Sequence, residues 1–289
     1  MGEWLNREDV LGYLLLLPVL TILGVFVAYP FVYGVWLAFT DTTIVHAGKF
    51  TGLDNLQRLL DDSIFQQAAS NSFIYTGVTT VFKLALGLAM AAVLNIRFRG
   101  NRFVRAATLL PWIIPTVLST LAWKWMFDAS FSVFNYVLAS VGILGPTWLG
   151  VWPWPMVSII VVNIWRGMPF YGISFLAGMQ TIPQELYEAA TIDGASAWSR
   201  FMHITLPLLR PVITVVLLLS TILTFADFQI VYVLTGGGPA NLTHLFATYS
   251  FQIGLRGLEI GVGAAISLFM FPILAIVVFL TLWTLRKEQ

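Results

Sequence analysis

The chain has 289 residues, of which 58% are hydrophobic and 10% charged, against roughly 25% charged in an ordinary soluble domain. So few charges cannot clothe a soluble surface, whereas this length accommodates six spans of about 20 residues joined by short loops. The net charge of +1 says little by itself, and the absence of cysteine excludes disulfides and a thiolate nucleophile while leaving the redox compartment open.

The first apolar stretch runs from Val10 to Thr40 without a charge, longer than a globular core helix. A signal peptide fits poorly, because Glu3, Glu8 and Asp9 offset Arg7 and further spans of similar quality follow. Pro18 and Pro30 should kink this helix or mark its ends. Further spans are expected at Ser72–Leu94, Ala106–Phe127, Trp154–Phe175, Pro211–Leu234 and Gly261–Leu285. The third is the least regular: Pro111 and Pro115 interrupt it, and Trp112, Trp123 and Trp125 suit interfacial anchoring near its ends. A membrane β-barrel would need ten-residue alternating segments, but these runs are apolar all round, so the fold class is all-α, a polytopic membrane protein with six transmembrane helices.

Between the spans, the outer loops cover about 41–71, 128–153 and 235–260 and leave no room for an independent catalytic domain. Phe131–Val141 is compatible with a short amphipathic helix at the outer interface or with an irregular loop. Gly236, Gly237, Gly238 and Pro239 should end the fifth span sharply. His46, His203 and His244 have no metal-ligand spacing, so no metal site is expected.

Orientation follows from the basic residues. Arg7, Arg97, Arg99, Arg102, Arg105, Arg200, Arg210, Arg286 and Lys287 fall on one side, and Lys49, Arg58 and Arg256 on the other. The positive-inside rule then puts both termini in the cytoplasm of a multi-pass inner-membrane protein. Topology accounts for these sparse arginines, so no nucleic-acid partner is expected.

The most informative inner segment lies between spans four and five, at 182–207. Its composition is that of two short helices joined at Asp193-Gly194: Pro183 can open a helix, Glu185 and Glu188 favour its positive end, and Gly194 permits a tight break. Ala189, Ala190 and Ala195 remove bulk where another surface could approach. An ordinary interfacial turn and a docking element would share this composition. A compact helix pair anchored to two spans can transmit a push from a cytoplasmic partner, which a floppy linker cannot.

Glu188-Ala-Ala-Thr-Ile-Asp-Gly-Ala195, continued by Phe201, Ile204 and Pro207, resembles the EAA loop of bacterial ABC importer permeases. Trp165-Arg-Gly-Met-Pro-Phe170 and Leu234-Thr-Gly-Gly-Gly-Pro239 sharpen the likeness to the MalF-like member of paired carbohydrate permeases, over roughly residues 10–285. The resemblance implies a type I ABC importer permease fold and one permease domain spanning 1–289, with the loop at 182–207 inside it. The implied partners are a second homologous permease, two cytoplasmic ATPase subunits, an extracytoplasmic solute-binding protein, membrane lipid and a carbohydrate substrate. ATPase coupling would fall on Glu188, Ala189, Ala190, Asp193, Gly194 and Ala195. No G-x-x-x-x-G-K-[ST] loop is present, so this chain is expected to be non-catalytic and without a cofactor, with ATP and Mg in the partner subunits. Longer maltose-type members carry extra N-terminal helices and a large external insertion, which this sequence lacks; that points away from maltose as its substrate.

Arg166 in span four and Asp227 in span five are intramembrane charges that need a wet cavity or a partner. They could pair structurally, line a pathway, or do both. By resemblance, the carbohydrate-contacting face falls on Asn163, Arg166, Gly167 and Phe170 and on Ser220, Thr224 and Asp227, and each set forms a stripe on one helix face. Aromatic packing between helices would look similar, and the two charges depart from the uncharged polar character expected of a maltose-type site. Lys83 reads as an interior or permease-interface lysine with no substrate role assigned. An ion-coupled secondary transporter is the alternative function, though no convincing internal repeat supports it; a membrane enzyme lacks paired acids, a nucleophile triad or a metal cluster.

Overall fold

The computed structural model describes residues 8–96 and 98–286, with side chains from Leu11 onward; Glu3, Arg7, Arg97 and Lys287 lie outside the described residues. Among these there is no β-sheet, and the extended pairing found is an isolated antiparallel bridge between Thr40 and Phe50. Five helices are long and apolar enough to cross a membrane: Leu11–Ala38, Ser63–Asn95, Trp154–Met179, Ala197–Leu234 and Ile260–Arg286. A sixth crossing is made if Asn101–Ile113 and Thr116–Met126, bent by 89° from each other, count as one broken span.

The breaks have local causes. Helix α1 (Glu8–Leu23) keeps Pro18 inside it, then widens into a π turn at Gly24–Ala28 before α2 (Tyr29–Ala38), which carries Pro30 in its first turn. A wider turn leaves room for a proline ring that an α turn would crowd. After α3 (Asp54–Leu60) comes α4 (Ser63–Asn95), which starts nine residues before the expected Ser72. Its polar first turns are helical without being apolar, so hydropathy marks only the part in lipid.

Helices α5 (Asn101–Thr108) and α6 (Leu110–Ile113) stop where Ile114 turns extended ahead of Pro115, and α7 (Thr116–Met126) restarts beyond it. Proline disfavours the helical conformation in the residue before it, which explains this sharp bend. The outer helix anticipated at Phe131–Val141 is α8 (Val133–Ser140), capped by the Ser132 hydroxyl accepting from the Asn135 amide at 3.2 Å. Next come α9 (Trp154–Met179), α10 (Gln184–Ile192) and α11 (Ala197–Arg200). A π turn at Phe201–Thr205 then leads into α12 (Leu206–Phe225), again with a proline, Pro207, just past the widened turn. Span five breaks once more at Ala226–Phe228 before α13 (Gln229–Leu234), and the glycine run ends it as expected, with Gly236 and Gly237 at φ +60° and +92°. The chain closes with α14 (Phe246–Phe251), a π turn at Gln252–Arg256, and α15 (Ile260–Arg286).

The chain divides into two compact units. One gathers the residues up to Asp62 with Ser250–Phe269. Here Asn55 donates to the carbonyls of Ala38 (3.0 Å) and Thr40 (2.7 Å), tying α3 to the end of α2. Arg58 forks onto Glu259 at 2.5 and 3.3 Å. A Cβ on Gly263 would stand 2.5 Å from the Gly254 Cα, so only glycine permits that approach.

The other unit, Ser63–Tyr249 with the chain from Met270, contains two apolar clusters. The first includes Tyr75, Phe127, Ile159, Val162, Ile230 and Val231; the second includes Ala91, Leu94, Tyr171, Phe175, Leu209 and Val216. Helix α4 runs along α9, and both contact α12. On α4 and α9, Thr76, Thr79 and Lys83, and Asn163 and Arg166, lie between the residues each helix gives to the two clusters, and α12 adds Ser220 and Thr224 beyond its own contribution to the second. These residues build the site.

Candidate functional site

Span two contributes a buried stripe at Ser72, Tyr75, Thr79, Lys83 and Gly87, spaced by three or four residues, with Thr76 beside it. Lys83 is 2% exposed, and its Nζ donates to Asn163 Oδ1 at 3.0 Å and to Thr224 Oγ1 at 2.8 Å, joining three spans. Gly167 makes this possible, since a Cβ there would sit 2.5 Å from the Lys83 Cδ. Asn163 uses its other end to donate to Asp227 Oδ2 at 3.0 Å, and the same oxygen accepts from the Tyr75 hydroxyl at 2.6 Å. Asp227 Oδ1 accepts the Ile230 amide at 3.3 Å, capping α13 across the break in span five.

Lys83, Asn163, Thr224 and Asp227 border a cavity of about 530 Å³. All seven residues expected on the pathway face, Asn163, Arg166, Gly167, Phe170, Ser220, Thr224 and Asp227, line it. Trp112 from the bent third span also lines it, stacked on Phe170 at 5.1 Å and 17°, and the Arg166 guanidinium lies 5.8 Å from the Trp112 ring centre. Of the alternatives left open for Arg166 and Asp227, a direct pair is not formed: no ion pair or hydrogen bond joins them, and Asp227 is held instead by Tyr75, Asn163 and the Ile230 amide. Arg166 Nε is buried without a hydrogen-bond partner.

Sequence reasoning left Tyr75 unmarked and gave Lys83 no role at the cavity. A usable signal was present in the three-and-four spacing of hydroxyl, lysine and glycine positions along span two, which makes one polar face on a helix otherwise apolar.

The loop at 182–207 is a helix, a turn and the lengthened start of span five. Its first helix, α10, has Pro183 at the N-cap and Glu185 in its first turn, with Glu188 one turn further on. It ends on Gly194 at φ +77°, where Gly194 N–H donates to Thr191 O (3.1 Å) and Ala195 N–H to Ala190 O (2.9 Å). Two such bonds around a left-handed residue form a Schellman end, which glycine supplies without Cβ strain. Ser196 then caps α11 through the Ser199 amide at 3.2 Å. The second of the two short helices expected here is not free-standing, because the π turn at Phe201–Thr205 fuses it to span five. Tyr187 and Thr205 share a hydrogen bond of 2.9 Å, and Arg200 donates to Thr191, so α10 is fixed to the same rod. Glu188, Ala189, Asp193 and Gly194 are exposed, Ala190 and Ala195 half-buried. Ile192 is 88% exposed and Trp198 67%, an apolar surface the described chain leaves uncovered. Among the described residues, no group of three or more His, Cys, Asp or Glu could hold a metal ion.

Residues 83–287 match the family described as binding-protein-dependent transport system inner membrane component. The chain belongs to that family. It is a non-catalytic permease subunit of an ABC importer with the type I permease fold, set in the inner membrane. Similar proteins include the trehalose/maltose transport system permease protein MalF of Thermococcus litoralis, 38% identical over 98% of this chain and 96% of that one. The sulfoquinovosyl glycerol transport system permease protein SmoG of Agrobacterium fabrum is 35% identical over 99% of this chain and 94% of its own. Among solved structures, a bacterial ABC transporter involved in the import of the acidic polysaccharide alginate has a chain that matches with a TM-score of 0.84 and 25% identity. The match covers 99% of this permease and 98% of that chain.

Proposed function

We propose that this permease forms half of the translocation pathway of an ATP-driven carbohydrate importer. Its substrate would pass the cavity lined by Asn163, Arg166, Gly167, Phe170, Ser220, Thr224 and Asp227. The observation that carries the reading is the polar layer held between two apolar clusters: hydroxyl, amide and charged groups beside the Trp112–Phe170 stack suit a polyhydroxylated ring, which has both apolar faces and hydrogen-bonding edges. A polar group at this depth is costly unless it faces a cavity or a partner, roughly 2.5–3.5 kcal/mol for each charge.

A second homologous permease completes the pathway, and an extracytoplasmic binding protein delivers the sugar. Two cytoplasmic ATPase subunits, holding ATP and Mg, seat the loop at 182–207 through Glu188, Ala189, Ala190, Asp193, Gly194 and Ala195. Both termini lie in the cytoplasm, and residues 1–289 act as one permease domain. Thermococcus litoralis MalF, whose name states trehalose/maltose transport, matches this chain over nearly its whole length. Lack of a large external insertion is therefore no argument against a disaccharide, contrary to the expectation drawn from the longer maltose-type members.

The test is sugar uptake into proteoliposomes holding the complete assembly and its binding protein. Uptake is expected to stop when ATP or the ATPase is omitted and to persist when proton and sodium gradients are collapsed. Uptake that survives without ATP and disappears with an ion gradient would establish the ion-coupled alternative instead.

A further inference from the structure

We infer that the cavity is built for a carbohydrate bearing an anionic substituent, a carboxylate, sulfonate or phosphate, with Arg166 as its anchor. This rests on the cavity being the carbohydrate pathway. The charges that line it are Lys83, Arg166 and Asp227, two basic groups and one acidic. Asp227 is held by other donors, its oxygens taking the Tyr75 hydroxyl, the Asn163 amide and the Ile230 N–H, and no hydrogen bond or close ion pair joins it to Arg166. Lys83 is likewise occupied, by two neutral oxygens on Asn163 and Thr224.

Arg166 differs from both. Among the described residues none accepts a hydrogen bond from it, its Nε is buried without a partner, and beside a through-space attraction to Asp227 its guanidinium rests against the face of Trp112. A guanidinium resting on an indole keeps its planar fork fixed while its N–H edge stays available, the arrangement that suits a carboxylate, sulfonate or phosphate taken in two parallel hydrogen bonds. Inside the membrane, where water screens poorly, such a pairing compensates the arginine far better than a sugar hydroxyl can. The Trp112–Phe170 stack beside it offers the apolar surface on which the sugar ring would lie. One end of the site thus reads charge and the other reads ring.

The assembled importer with its binding protein, in proteoliposomes with ATP inside, is offered an equimolar mixture of neutral and uronic-acid mono-, di- and trisaccharides. The lumen contents are then identified by mass spectrometry. Acidic sugars are expected to exceed neutral ones of the same length by at least about tenfold. Arg166→Gln should cut the acidic cargo by a similar factor, and Arg166→Lys, which retains the charge without the fork, should recover part of it. Preferential import of neutral sugars, or an acidic preference unchanged in a well-inserted Arg166→Gln importer, overturns the inference and leaves carbohydrate import standing. Import of no sugar of either kind overturns both.

Discussion

Buried polar residues in this permease are held by geometry that their neighbours dictate, and His244 shows the consequence outside the membrane-spanning segments. Its ring is 2% exposed and so close to Gly237 that a Cβ there would sit 2.1 Å from it. The neighbouring polar contact is the Thr248 hydroxyl, 3.2 Å from Nδ1, and the Tyr249 ring lies 5.5 Å away. Burial lowers the imidazole from 6.5 to about 4. An unfolded chain takes up a proton near pH 6.5 that the folded loop resists until about pH 4, so stability is lost as pH falls through that window, by up to about 1.4 kcal/mol per unit. Thermal unfolding of the purified permease should therefore drop between pH 7 and pH 5, and His244→Asn, whose amide can replace the Nδ1 contact, should flatten that drop. An unchanged pH response in the variant would assign the effect to other groups. From sequence, His244 was one of three scattered histidines. Its burial depends on Gly237, a residue legible only as a helix stop. Arg166 and Asp227 were legible as costly charges, but the hold on Asp227 was not, because its donors Tyr75 and Asn163 reach it from spans two and four.

At the scale of elements, apolar length marked every crossing, and proline spacing marked the bend of the third, where Pro115 fixes Ile114 in an extended conformation. The break in span five left no such mark. No proline or glycine lies at Ala226–Phe228; there the Asp227 side chain takes the Ile230 amide and restarts the helix as α13. Polar helical extensions, such as the first turns of α4, also escape hydropathy because they leave the hydrocarbon. Topology itself is testable in a chain with no native cysteine. With the basic loops inside, Arg99→Cys and Ala197→Cys should react with an impermeant maleimide only in inverted vesicles. Val45→Cys, at a side chain 89% exposed, should react only in intact cells. Labelling of all three from one side would rule out the orientation.

For the whole molecule, the proposed import mechanism requires that movement of an ATPase reach the cavity. The fused rod from α11 through the π turn into α12 connects the inner loop to Ser220 and Thr224 without a flexible joint, while Tyr187 and Arg200 brace α10 against it. The loop's motif was legible in sequence; its continuity with span five was not, because Pro207 and Pro211 look like breaks unless a widened turn absorbs them. Gly194→Asp tests the coupling directly. A Cβ there meets nothing within 4 Å, and aspartate tolerates left-handed backbone better than most residues, so the fold should lose no more than about 1–2 kcal/mol. What changes is bulk and negative charge on the exposed surface beside Asp193. Membrane level, ATPase co-purification, ATP hydrolysis and sugar uptake are measured in parallel, with Ser140→Ala in outer helix α8 as control. The account predicts normal insertion, with ATPase association or its conversion into uptake reduced at least about tenfold by Gly194→Asp; association, hydrolysis and uptake all at the unmodified level would contradict it.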